Sequence, residues 1–266
     1  MWRAELHHLF RRTVVRVQLI VLFLVPVLLA VAVKLSGGPS SGQGPSFLDQ
    51  VSHNGVFAAL AGLTVCIPFF LPLTVAVIAG DSIAGEASLG TLRYLLTRPA
   101  GRVRLLAVKA LTVVVYSVAA AVAVAVGGLA AGAALFPVGP VVGLSGTSFS
   151  LADGIGRTLL AAVIVGASLL GLAAIGMFVS TLINSPVGAM VITAGLVVAA
   201  LVVDSVPQLA FAHPWLFSHD WLAFGDLLRS PVTWGGIRRD LLLQLGYVVV
   251  FGAAAWARFT TRDVLA

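Results

Sequence analysis

Two short patterns in the chain resemble catalytic or nucleotide-binding motifs. Residues 38–42 match the nucleophile-elbow pattern G-x-S-x-G, but that pattern yields a reactive serine only on a strand–turn–helix corner, and segment 36–46 is a Gly/Ser/Pro-rich loop. Gly80 and Gly85 have the glycine spacing of a P-loop, yet Glu86 stands where the phosphate-binding lysine is required. The sequence therefore predicts no catalytic residues and no ATP-binding site in this chain.

Metal-ligating residues are few. Cys66 is the single cysteine, so the chain has neither an internal disulfide nor a cysteine-based metal site. His213, His219 and Asp220 lie close in sequence, but they lack a fourth ligand and a helical or hairpin frame. The sequence accordingly predicts no metal centre and no cofactor bound by this chain.

The elements that must position any functional residue are membrane-spanning helices. Hydrophobic residues make up 59% of the chain and charged residues 10%, with a mean hydropathy of +1.07, whereas soluble domains carry about 25% charged residues. A span needs about 20 apolar residues. Six such stretches are predicted, at 17–35, 55–79, 105–135, 157–182, 187–203 and 241–257. We therefore expect an all-α polytopic membrane protein with a single transmembrane domain over residues 1–266.

Residues 1–16 are too charged to cross a bilayer but have an amphipathic pattern. Leu6, Leu9 and Phe10 share one helical face. A secretory signal peptide is excluded, because the apolar run that follows is too long and lacks a cleavage site. The segment is predicted to be an interfacial elbow helix, whose arginines contact anionic headgroups: Arg3, Arg11, Arg12 and Arg16.

Segment 80–104 is a basic, polar stretch between the second and third predicted spans. Leu89, Leu92 and Leu96 recur at helical spacing, and Pro99 should end that helix. A short amphipathic helix between two spans is therefore expected.

Within this segment a set of residues resembles the loop after the second span of ABC-2 type transporter permeases. The set is Gly85-Glu86, Gly90-Thr91-Leu92, Leu95-Leu96, Pro99, Arg102 and Lys109. The chain departs from that family at Gly101, where a serine is common. Further resemblances lie at Glu5-Leu6, Phe10-Arg11-Arg12, Ser180-Thr181-Leu182, Asn184-Ser185-Pro186 and the C-terminal tail.

The resemblance implies that residues 82–100 form a coupling helix seated in a groove of a separate ABC ATPase subunit, which binds ATP and Mg. The coupling residues it implies are Gly85, Glu86, Gly90, Thr91, Leu92, Arg93, Leu96, Arg98, Pro99 and Arg102. It further implies that the chain dimerises with itself or a homologous permease, and that it exports a substrate, for which the apolar spans favour a hydrophobic or amphiphilic cargo.

Residues 204–239 form the second informative segment, with three prolines and several aromatic residues. The resemblance implies a pair of re-entrant helices here, with Trp215, Phe217 and Trp221 as a candidate outer gate. An ordinary extracytoplasmic loop with an aromatic belt at headgroup depth is the alternative.

The distribution of basic residues predicts the topology. Eleven lie in segments predicted to face the cytoplasm: Arg3, Arg11, Arg12, Arg16, Arg93, Arg98, Arg102, Arg104, Lys109, Arg258 and Arg262. The other five lie outside: Lys34, Arg157, Arg229, Arg238 and Arg239. Both termini are therefore placed in the cytoplasm of a bacterial cell, with the spans in the cytoplasmic membrane.

The sequence is compatible with three functions. Charged residues are scarce within the predicted spans, which favours energy supplied by a partner ATPase over an ion-coupled carrier. A non-transporting sensor or assembly factor of the same fold is the alternative, and an integral membrane enzyme is the third. The net charge of +6 is ascribed to topology, so no nucleic-acid partner is expected.

Overall fold

The computed structural model describes residues 2–36, 48–88, 102–143 and 145–261, and within them the chain is almost entirely helical. Six helices or helix pairs are long and apolar enough to cross a membrane, which confirms the predicted all-α polytopic class. They are Thr13–Leu35, Phe70–Ser88, Val103–Leu135, Leu151–Leu182, Pro186–Ser205 and Trp234–Thr261.

The N-terminal amphipathic helix is α1, Trp2–Arg11. Its Leu9 is buried, whereas Arg3 and His7 are exposed. The first span, α2, covers Thr13–Leu35 and stays helical through Pro26, which lies against Gly62. Gly62 leaves room for the proline ring, because a Cβ at that position would overlap the side chain of Pro26.

The second predicted span, 55–79, is divided between two helices. After α3, Leu48–Val51, helix α4 covers Phe57–Cys66 and α5 covers Phe70–Ser88. The turn between α4 and α5 contains Pro68, which lacks the backbone N–H that a continuous helix needs. Helix α5 also runs past the predicted boundary at residue 79, so the first part of segment 80–104 is a helical continuation of the span.

The longest helix, α6, covers Arg102–Leu135 and packs along α2 and α4. Its Gly128 and Gly132 have the G-x-x-x-G spacing, and a side chain at either position would collide with the backbone of Ala59 or Gly55 on the α4 side. These glycines therefore let two helices approach closely within one chain, where lipid offers no hydrophobic drive.

A small antiparallel hairpin, β1 Val141–Val142 and β2 Ser148–Phe149, follows α6. The fourth span consists of α7, Leu151–Ser168, and α8, Leu170–Leu182, with a break at Leu169. Leu169 is neither proline nor glycine, so the residue at the break does not predict that the helix is interrupted there.

The fifth span, α9, covers Pro186–Ser205, and Ser185 caps it by accepting a hydrogen bond from Gly188 N–H at 3.2 Å. Three short 3₁₀ helices follow, at Pro207–Leu209, His213–Trp215 and Ala223–Leu228. They occupy the place where the resemblance implied two re-entrant helices, and the first two of them begin at or next to a proline, Pro207 and Pro214. The last span, α10, covers Trp234–Thr261 and begins before the predicted residue 241.

Candidate functional site

A cluster of ion pairs joins three helices at one end of the bundle. Lys109, on α6, donates a hydrogen bond to Glu5 Oε1 of α1 at 2.5 Å and another to Glu86 of α5. All three side chains are largely buried, with Lys109 only 12% exposed. Lys109 therefore links two carboxylates that lie far apart in the sequence.

A second ion pair extends this cluster toward the start of α2. Arg12 lies between α1 and α2, and its Nη1 is 2.5 Å from Asp81 Oδ2 of α5. Gly85 lies one turn further along α5. A Cβ at Gly85 would overlap the Asp81 carboxylate, so the lack of a side chain there leaves room for that carboxylate. We refer to Glu5, Arg12, Asp81, Glu86 and Lys109 together as the basal cluster.

The basal cluster lines a pocket of about 460 Å³ that also includes His8, Ser82, Thr112 and Pro186. A smaller cavity on the other side of Glu86 and Lys109 is lined by Leu105, Leu106 and Phe259, so the last helix ends beside the cluster. Both terminal helices, the end of α5, the start of α6 and the start of α9 therefore meet at one end of the bundle.

Ser180 of α8 ties the same end of α5 to a neighbouring span. Its buried hydroxyl donates to Gly80 O at 2.7 Å and accepts from Ile83 N at 3.1 Å and Ala84 N at 2.9 Å. The side chain thus inserts into the hydrogen-bond ladder of α5, which is a recognised cause of a local helix bend. A movement of this end of α5 would be passed directly to α8.

The predicted coupling residues divide into two groups. Gly85 and Glu86 lie in the last turns of α5, and Arg102 begins α6, although its side chain lies outside the described part of the chain. The rest fall in segment 89–101, which the structure leaves undescribed: Gly90, Thr91, Leu92, Arg93, Leu96, Arg98 and Pro99. The basal cluster therefore holds both ends of the predicted coupling segment.

The four predicted headgroup-binding arginines have different surroundings. Arg3 and Arg11 are exposed on α1, and Arg16 donates to the Arg11 carbonyl. Arg12 is 42% exposed at its side chain but is paired with Asp81. The sequence pattern gave no indication that Asp81 is the partner of Arg12.

At the other end of the bundle, the candidate gate residues are not equivalent. Phe217 and Trp221 are buried and their rings lie 5.7 Å apart, whereas Trp215 is 73% exposed. Trp221 Nε1 donates to Ser168 O at 2.9 Å, at the break between α7 and α8. Phe217 and Trp221 therefore anchor the 206–233 segment to the spans, and Trp215 faces outward.

A buried carboxylate that sequence reasoning missed stands beneath this segment. Asp240, 1% exposed, accepts hydrogen bonds from Ser168 and from Gln244 Nε2, the latter at 2.9 Å. Gln244 also donates to Phe217 O at 2.8 Å and accepts from Gly171 N at 3.0 Å. Asp240 lies inside the last span because α10 begins at Trp234, whereas the predicted span began one residue after it.

His213 and His219 do come together, but with Asp204 rather than Asp220. One ligand atom from each of Asp204, His213 and His219 lies within 4.8 Å of the other two. Asp220 instead lies 3.4 Å from Arg239 of α10. Asp204 precedes both histidines and lies outside segment 213–220, so residue spacing did not indicate that it would join them.

Comparison with known proteins gives two findings. The model of a family described as "Protein of unknown function (DUF2705)" matches residues 23–265, which is most of the chain. A Pseudomonas aeruginosa protein named "Probable ABC transporter permease protein NosY" is 38% identical over 88 residues. That similarity covers 33% of this chain and 30% of the relative's length.

Proposed function

We propose that this chain, which belongs to the DUF2705 family, is the membrane-spanning permease subunit of an ATP-driven ABC transporter. The observation that carries the proposal is the basal cluster, which binds both ends of segment 89–101 to the N-terminal helix. The local similarity to a protein named as an ABC transporter permease supports the same function, and so does the ABC-2-like pattern of residues 85–109.

The proposed mechanism begins at a separate ATPase subunit that contacts residues 82–100. A push on this segment reaches α5 through its own backbone and α6 through Lys109, since Lys109 contacts Glu86 directly. Ser180 then passes the movement of α5 to α8. In this mechanism the chain supplies the moving spans, and the partner supplies the ATP and Mg chemistry.

The substrate in this proposal is hydrophobic or amphiphilic, and transport is outward. Two apolar grooves support the hydrophobic or amphiphilic character of the substrate. One, of about 290 Å³, lies between α6, α8 and α10 and is lined by residues such as Leu106, Met177 and Trp256. The other, of about 680 Å³, lies along α10 and combines Leu242 and Phe251 with Arg239. Grooves of this apolar character suit a hydrophobic or amphiphilic molecule.

Co-purification from native membranes tests the proposal. In mild detergent the chain should carry an ATPase subunit with a P-loop, in stoichiometric amount. Leu92→Pro or Arg98→Glu should remove that subunit or abolish substrate-stimulated ATP hydrolysis, because each change disrupts the proposed docking helix. The matched control is Arg238→Glu, a charge reversal of an exposed arginine at the opposite end, which should leave the ATPase bound.

The proposal is overturned if no ATPase accompanies the wild-type chain, or if the Leu92→Pro and Arg98→Glu variants transport and hydrolyse ATP like the wild type. Comparable amounts of each variant in the membrane fraction are needed, so that loss of the partner is not loss of insertion.

A further inference from the structure

We infer that Asp204, His213 and His219 form a binding site for a divalent transition-metal ion at the end of α9. One ligand atom of each lies within 4.8 Å of the other two, although the residues come from three different elements. Asp204 lies in the last turn of α9, His213 begins the second 3₁₀ helix, and His219 follows that helix in a turn. The site lies at the opposite end of α9 from Pro186 and the basal cluster.

The backbone of α9 selects the tautomer that His213 needs as a ligand. Its Nε2 lies 3.1 Å from Val203 O and 3.2 Å from Val206 O. Carbonyl oxygens only accept hydrogen bonds, so Nε2 carries the ring proton and Nδ1 keeps its lone pair. Metal-binding histidines are commonly oriented in this way, with the second ring nitrogen donating to a backbone carbonyl.

His219 and Asp204 supply the other two ligands. His219 Nδ1 lies 2.6 Å from Asp204 Oδ1, so the two atoms share a proton that a metal ion would replace. The rings of His213 and His219 lie 5.7 Å apart between centroids. The side chains of His219 and Asp204 are about one third and one quarter exposed, which leaves the site open to an ion from solvent.

The electrostatic surroundings also favour a cation. The site lies at the C-terminal end of α9, where the helix dipole is negative and the carbonyls of Val203 and Val206 converge on His213. Arg239 of α10 is directed to Asp220, the residue after His219. Among the ion pairs of the described residues, the Asp204 carboxylate is paired with the imidazole of His219 and with no lysine or arginine.

The donor set defines the class of metal. Two imidazoles and one carboxylate suit zinc and neighbouring first-row divalent ions, whereas calcium and magnesium prefer oxygen ligands alone. Three protein ligands leave one position of a tetrahedral ion open to water. A bound ion would also link α9 to the segment that carries Phe217 and Trp221, and so stabilise the attachment of that segment.

Zinc binding by the purified full-length chain tests the inference. The chain is prepared in detergent with an affinity tag that contains no histidine, and Zn²⁺ is titrated by calorimetry. We expect one ion per chain, and a loss of affinity of at least tenfold in the double variant His213→Ala/His219→Ala. Asp204→Asn should weaken binding in the same direction, because an amide replaces the anionic ligand while keeping its shape.

The matched control removes two exposed histidines elsewhere, His7→Ala/His53→Ala, and should bind zinc like the wild type. Thermal unfolding adds a second readout, in which zinc should raise the Tm of the wild type but not that of Asp204→Asn. The Asp204→Asn variant keeps the local shape, so it remains informative if the double variant is poorly folded. The inference is overturned if the wild type shows no stoichiometric binding, or if the control loses as much affinity as the double variant.

Discussion

At the residue scale, Lys109 is the side chain on which the basal cluster depends. It contacts both Glu5 and Glu86, and little of it reaches solvent. Removing one cation from a largely buried group of charges costs the carboxylates that partner, which is more harmful than removing the whole group of charges. Its effect on stability is therefore open to a direct test.

We predict that Lys109→Met lowers the free energy of unfolding by about 3 kcal/mol, because two desolvated carboxylates then face each other. Chemical unfolding in detergent measures the difference in the free energy of unfolding between the variant and the wild type. Lys109→Arg should lose much less, since the charge is kept, and the triple variant Lys109→Met/Glu5→Gln/Glu86→Gln should recover a large part of the loss. A Lys109→Met protein as stable as the wild type would show that the cluster adds no stability.

At the element scale, the junction of α5 and α8 is the contact that carries movement in the proposed mechanism. The Ser180 hydroxyl reaches the ladder of α5 and accepts hydrogen bonds from the amides of Ile83 and Ala84. Helix α5 also lies close against α9, where a side chain at Gly80 would meet the backbone of Met190. The end of α5 is thus held by two neighbours and by the basal cluster.

We predict that Ser180→Ala destabilises the protein by about 1–3 kcal/mol, because buried N–H groups lose their acceptor. It should also reduce substrate-stimulated ATP hydrolysis more than basal hydrolysis, since the contact between α5 and α8 is weakened. The control is Ser205→Ala, whose exposed hydroxyl bonds only Val202 O of its own helix and should cost less than about 0.5 kcal/mol. Equal losses in both variants would contradict the role given to Ser180.

The elements differ in how far the sequence predicts them. Each span is a local property of about 20 apolar residues, so hydropathy finds six spans, although the second was predicted at 55–79 and the spanning helix there is Phe70–Ser88. The break at Leu169 has no such local signal. It coincides with Ser168 bonding to Asp240 of α10, a contact between residues far apart in the chain.

The sites are less predictable than the spans for the same reason. Glu86 was singled out as part of a linear pattern, but its partner Lys109 and the further partner Glu5 are brought to it by three helices. Asp204 joins His213 and His219 only because the chain turns back after α9. Predicting such groups requires the helix packing, which hydropathy and spacing do not contain.

At the scale of the whole molecule, the structure separates two ends. The N-terminal helix, the ends of α5 and α10 and the starts of α6 and α9 meet at the basal cluster. Asn54, by contrast, donates to Gly139 O and Pro140 O at 3.0 Å, which places the start of α4 with the hairpin at the other end. Six spans also return the chain to the side on which it began. The excess of basic residues in the segments predicted to lie at the first end leads us to expect that this side faces the cytoplasm.

The single buried cysteine allows this orientation to be tested. In a Cys66→Ala background, His53→Cys and His7→Cys each introduce one exposed thiol, at opposite ends of the bundle. A membrane-impermeant maleimide should label His53→Cys in intact cells, and should label His7→Cys only after the membrane is opened. The second labelling step shows that both thiols are reactive. The reverse pattern would place the basal cluster outside, where no ATPase has access to ATP, and would contradict the orientation and the proposed function together.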